Sequence, residues 1–134
     1  MHGQCHCGGV KFTVELTDGL EKPVRCNCTM CGMKGAVMVF AELGSITVTE
    51  GEDLLSTYQF HSNTAKHHFC SRCGIHVFHQ RRFNPEQYGV NTACLEGVSP
   101  YDFAEVQVFD GQDHPKDRGG AQMAIAGVMR YVRR

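Results

Sequence analysis

The chain has 134 residues, 42% of them hydrophobic and 20% charged, with a formal net charge of −1. This is ordinary globular composition at the usual size of one domain, and a single domain over residues 1–134 is expected. So balanced a charge argues against a nucleic-acid or anionic-membrane partner, and no apolar run nears the roughly 18 residues of a membrane span.

Fifteen glycines point to many turns, hence many short strands. Gly9 to Leu16 alternates, with Val10, Phe12 and Val14 on one side, and predicts a half-buried strand. Asp18-Gly19 marks a turn, and Val24 to Gly32, rich in cysteine, predicts a knuckle. Ala36 to Leu43 reads as a buried strand and Ser45 to Thr49 as a second, alternating one, followed by a turn over Glu50 to Asp53. Leu55 to Phe60 and Lys66 to Phe69 read as strands flanking a turn at Ser62-Asn63. Arg81-Arg82, like Arg130, Arg133 and Arg134 near the end, is expected on solvated surface. Ile75 to His79, Tyr88 to Ala93 and Ala104 to Phe109 complete the strands, while Ala121 to Val132 fits helix or strand equally. Strands at this spacing predict an all-β, sandwich-like architecture.

Eight cysteines need a reason: Cys5, Cys7, Cys26, Cys28, Cys31, Cys70, Cys73 and Cys94. No apolar leader precedes Cys5, so a cytoplasmic, reducing setting is expected, where clustered thiols bind metal or do chemistry rather than form a disulfide framework. Cys70-Ser71-Arg72-Cys73-Gly74 is a metal knuckle, its glycine suited to the positive φ that closes the turn. Cys5 and Cys7, two apart at the entrance to a strand, leave the same face. Two plus two thiolates make the tetrahedral set of a structural zinc site that would join the N-terminus to the middle of the chain. The other reading makes Cys5 and Cys7 unrelated buried thiols. His6 between them would point the other way.

Cys26-Asn27-Cys28-Thr29-Met30-Cys31 supplies three ligands of four. Catalytic zinc sites keep three protein ligands and one exchangeable position. Either that position is open or a histidine closes it, with His67, His68, His76 and His79 as candidates. Cys94 stands alone and reads as a small core residue.

In chain order, Cys5-x-Cys7-Gly8-Gly9-Val10-x-Phe12, Cys26-x-Cys28-x-x-Cys31 and Phe69-Cys70-x-x-Cys73-Gly74 resemble the glutathione-dependent formaldehyde-activating enzyme family. Gly44-Ser45-Ile46, Leu55 to Phe60, Val90-Asn91, Leu95-Glu96-Gly97 and Phe109-Asp110-Gly111 extend the resemblance over residues 3–115. It implies a mainly β, Mss4-like β-tent of folded antiparallel sheets stapled by zinc. It implies two Zn2+ sites, structural at Cys5, Cys7, Cys70 and Cys73, catalytic and open to partial occupancy at Cys26, Cys28 and Cys31. It further implies a carbon–sulfur lyase of the S-(hydroxymethyl)glutathione synthase type, condensing formaldehyde with glutathione or another small thiol. Many members carry histidine where this chain has Asn27, and a basic residue where it has Gly32. Lys34, Lys66, Arg72 and Arg81 are candidate partners for the glutathione carboxylates, and His68 and His76 candidate proton shuttles. The competing class is a non-catalytic Mss4-like zinc module that binds other proteins.

Overall fold

The computed structural model describes residues 1–120 and 122–134, and of Arg118 the backbone alone. Among the described residues, ten strands form one continuous, mostly antiparallel sheet. β1 (His2–Gln4) and β2 (Lys11–Leu16) form a hairpin whose turn carries Cys5 and Cys7. Cys5 and Cys7 therefore ride a connection between strands, not the strand entrance that the alternation suggested. β3 (Val24–Cys26) leads into α1 (Thr29–Lys34), so the expected knuckle closes as a short helix. Cys28 caps the start of that helix with its sulfur, and Gly35 ends it at φ 66°.

The two strands expected on either side of Leu43-Gly44 are one, β4 (Met38–Glu50). The hydrophobic pattern breaks there because β4 changes partner: Met38 to Glu42 pair with β8 (Gln87–Asn91), while the stretch through Glu50 pairs with β2. The register to β2 slips between Lys11 and Phe12 and again between Val14 and Leu16, irregularities of the kind that bend and twist a strand. β5 (Leu55–Tyr58), β6 (Lys66–Cys70) and β7 (His76–Gln80) continue antiparallel from β8. β9 (Glu105–Phe109) lies on the other side of β3, and this β3–β9 pair is parallel, which strand spacing alone does not signal. The ambiguous C-terminal stretch resolves as a strand, β10 (Ile125–Arg130), on the edge beside β9; its expected start, Ala121, lies outside the described residues. A short helix, α2 (Pro115–Arg118), precedes it.

The core lies between the β2 layer and the β4–β8–β7 layer. Val10, Phe12 and Val14 meet Val39, Val77, Phe78 and Val90 there, with Phe12 edge-on to Phe78 at 5.5 Å between ring centres. Fully burying such side chains stabilises by about 1.5–3 kcal/mol each. Cys5, Cys70 and Cys94 belong to the same cluster, so one cysteine set is built into the core.

Candidate metal centres

The outer set follows from two turns. Cys5 and Cys7 lie between β1 and β2, Cys70 ends β6, and Cys73 sits in the turn before β7. Their four sulfurs lie within 4.8 Å of one another. Cys5 Sγ is 3.6 Å from Cys7 Sγ, and Cys7 Sγ is 3.8 Å from Cys70 Sγ. A tetrahedron with zinc–sulfur bonds of about 2.3 Å has an edge of about 3.8 Å. A disulfide would need about 2.05 Å, and all eight cysteines are free. Gly8 and Gly74 take φ of 75° and 78°, which closes both turns. The backbone N–H groups of Val10 and Gly9 donate to Cys5 Sγ and Cys7 Sγ at 3.3 and 3.4 Å. Arg72 Nε donates to Cys7 Sγ at 3.3 Å, and this guanidinium, then the Gly9 N–H, pulls the Cys7 thiol down to about 6. These donors favour thiolates, the form that binds metal. His6 is exposed and stands outside the set.

The inner set is local. Cys26 ends β3, Cys28 caps α1 and Cys31 lies in its first turn, with sulfurs again within 4.8 Å of one another. The Cys31 N–H donates to Cys28 Sγ at 3.3 Å. Hydrogen bonds from the Cys26 and Cys31 thiols, that N–H and the nearby Lys34 charge draw the Cys28 thiol down to about 2. Negative charge therefore collects on Cys28, and its neighbours are raised in turn. The loop after β9 closes over this set. A Cβ on Gly111 would collide with Cys26 Sγ and lie 2.7 Å from Cys28 Cβ. Asn27 fastens that loop: it donates to Asp110 Oδ1 at 3.4 Å and accepts from the Gln112 N–H at 3.0 Å, while the Gln112 side chain donates to Asn27 O at 2.7 Å. The spacing of three donors, with no fourth among the described residues, fits a metal held by three protein ligands.

All three inner cysteines line a cavity of about 310 Å³. Its walls are largely apolar, including Met38, Phe40, Phe60 and Phe109, and its polar groups include Arg81, Arg82 and His114. Arg81 corrects the expectation of a solvated Arg81-Arg82 pair: it is only 9% exposed. Its guanidinium lies 4.0 Å from the centre of the Phe40 ring and donates to Gln87 Oε1 at 2.6 Å. Arg82 pairs with both carboxylate oxygens of Asp117, at 2.5 and 3.4 Å. His114 is a wall residue that sequence reasoning missed. Its Nδ1 accepts the Lys116 N–H at 3.0 Å, so in the neutral ring the proton sits on Nε2. The His-Pro step at the start of α2 was the available signal.

The histidines do not join the inner cysteines. Among the described residues His67, His76 and His79 form a ligand group of their own, although His67 and His79 line the same cavity as the inner cysteines. His68 bonds Thr57 Oγ1 at 2.9 Å. Of the candidate carboxylate partners, Lys66 is exposed on β6, Arg72 serves the outer set, and Lys34 contacts His67 Nδ1 at 3.0 Å and His76 Nε2 at 3.3 Å. Arg81 is the one that lines the cavity. Cys94 lies in the core outside both sets, where burial pushes its thiol up to about 12.

Among known proteins, the family model described as glutathione-dependent formaldehyde-activating enzyme matches residues 1–109. A crystal structure of a protein from Rhodobacter sphaeroides is 50% identical, with a TM-score of 0.79, covering 81% of this chain and 99% of that one. The family match ends at 109, so Gly111, Gln112, His114 and Met123 of the cavity wall lie beyond it.

Proposed function

Because the chain belongs to the glutathione-dependent formaldehyde-activating enzyme family, we propose that it is a zinc-dependent carbon–sulfur lyase that joins a small thiol to formaldehyde, glutathione being the first candidate. The observation that carries this is the inner set itself: three clustered sulfurs on the wall of a cavity, with no histidine within ligand distance of all three among the described residues. The outer four cysteines would hold a structural zinc, and Cys26, Cys28 and Cys31 a second. A zinc ion held by Cys26, Cys28 and Cys31 would supply a Lewis-acidic open position that favours the thiolate form of a substrate thiol.

The reaction is an addition without redox change. The thiol sulfur forms a bond to the carbonyl carbon, the carbon–oxygen π pair moves to oxygen, and the thiol proton ends there, giving RS–CH2–OH. Holding thiol and aldehyde together in a cavity of this size supplies much of the rate, because formaldehyde needs little activation. The apolar walls limit water, which would otherwise hydrate the aldehyde. His114, with its proton on Nε2, is the cavity group suited to donate to the developing alkoxide. The Arg81 and Arg82 guanidiniums attract an anionic thiol. Both are already engaged, with Gln87 and Asp117, so a thiol with fewer carboxylates than glutathione fits the same site.

The test has two parts. X-ray absorption at the zinc edge, with and without thiol, should show one added sulfur neighbour in wild type and none in Cys31→Ser. Carbon-13 formaldehyde with glutathione, cysteine or 2-mercaptoethanol should then show by NMR which adduct the protein accelerates. An inner shell that already holds four protein ligands and ignores every thiol would instead favour a non-catalytic protein-binding module.

A further inference from the structure

We propose that His67, His76 and His79 form a third divalent-metal site, separate from both cysteine sets, in which the ammonium of Lys34 stands as a built-in competitor. Its ligands differ from those of both cysteine sets, although His67 and His79 line the cavity of the inner cysteines and the Lys34 charge reaches Cys28.

The three rings meet because of one irregularity. His67 on β6 lies directly opposite His79 on β7, so the two share a face. His76 is three residues before His79, and in a regular strand would point the other way. The β6–β7 register slips between His68 and Phe69, so the pairing passes from Phe78 to His76 and leaves Val77 as an extra residue. That bulge turns His76 back onto the face of His79. The rings then lie 5.1 Å (His67–His79), 5.5 Å (His76–His79) and 6.2 Å (His67–His76) apart, centre to centre, each offering a nitrogen within 4.8 Å of the others. Space is made for them too. Gly89 pairs with His79 across β8, and a Cβ there would collide with the imidazole.

Two observations point to a missing partner. His76 Nδ1 and His79 Nδ1 are buried without a hydrogen bond, and buried polar atoms are nearly always paired. Since Lys34 donates to His76 Nε2, His76 Nδ1 carries the ring proton, and it is His79 Nδ1 that is left to present an unpaired lone pair. Burial also holds all three rings neutral, the state that binds metal. Meanwhile one cation is already held there: Lys34 Nζ lies 3.0 Å from His67 Nδ1 and 3.3 Å from His76 Nε2. A metal among the three rings, at about 2.0–2.1 Å from a nitrogen of each, takes the place of the ammonium, which must swing away. An all-imidazole set suits Zn2+, Co2+, Ni2+ or Cu2+.

The test uses whole protein with both cysteine sets loaded with zinc, titrated with Co2+. One further Co2+ should bind, giving ligand-field absorption without the intense sulfur-to-cobalt band of a thiolate site. Lys34→Met should tighten this binding about tenfold or more, by removing a like charge and the occupant. His79→Phe should abolish it; if that variant does not fold, His67→Gln should weaken it instead. Failure of both wild type and Lys34→Met to take the extra ion would overturn the proposal. So would a sulfur band on that ion, or binding that survives the histidine substitutions.

Discussion

A methyl group at position 111 would strike the sulfur of Cys26. The loop is fastened through Asn27 and Gln112, so it gives way only at a cost. Gly111→Ala should therefore weaken the inner metal, by the roughly 1–3 kcal/mol typical of overpacking, and leave the sheet intact. Competition with a chromophoric chelator measures this; unchanged zinc release from the inner set would show that the loop yields freely. Cys94 behaves oppositely. Its Sγ is 3.6 Å from the His76 carbonyl and packed in the core, with its thiol raised to about 12. Alkylation of native protein should leave Cys94 unlabelled, and Cys94→Ala should keep its full metal content. Loss of one zinc in that variant would place Cys94 among the ligands.

At the scale of elements, α1 and the inner set depend on each other. The helix has six residues, far below the roughly 12–15 at which an isolated helix becomes marginally stable. Cys28 caps it and Cys31 lies in its first turn, so a metal on these sulfurs holds its N-terminal end. Stripping the inner metal should expose the amides of residues 29–35 to fast hydrogen exchange while β6, β7 and β8 stay protected. Mass spectrometry reads this directly. Protection lost throughout the sheet would mean that the inner set is structural.

For the whole molecule the two cysteine sets differ in what they join. The inner three span residues 26–31 and close almost no loop. The outer four join residues 5 and 73 across the hairpin and β6, with Cys5 and Cys70 in the core. A structural zinc site contributes an apparent 10–16 kcal/mol or so of folding free energy, comparable to the net stability of a domain at about 5–15 kcal/mol. Cys73→Ser should therefore be insoluble or unfolded, whereas Cys31→Ser should be folded, short of one zinc, and inactive toward thiols. A melting scan and elemental analysis of both variants decide the matter, and near wild-type melting of Cys73→Ser would contradict the outer assignment.

The sequence by itself determined the local groupings, Cys26, Cys28 and Cys31 and the Cys70–Cys73 knuckle, because their spacing and the knuckle glycine are local; that Cys5 and Cys7 meet Cys70 and Cys73 is settled by the folded chain. It also determined most strands, because alternation at Val10, Phe12 and Val14 reports a face turned to a core. The resemblance pointed to the mainly β class, which the mixed sheet bears out. What only the tertiary structure decided is what depends on partners far along the chain. β4 reads as two strands because it changes partner midway, and α1 is hidden because its cap is a cysteine sulfur rather than a hydroxyl or carboxylate. Arg81 looks like surface because its aromatic and amide partners, Phe40 and Gln87, are distant or on a facing strand. His114 enters the cavity through a loop beyond the family's span. His67, His76 and His79 converge because one extra residue in β7 reverses a side chain, an event that no periodicity in the sequence records.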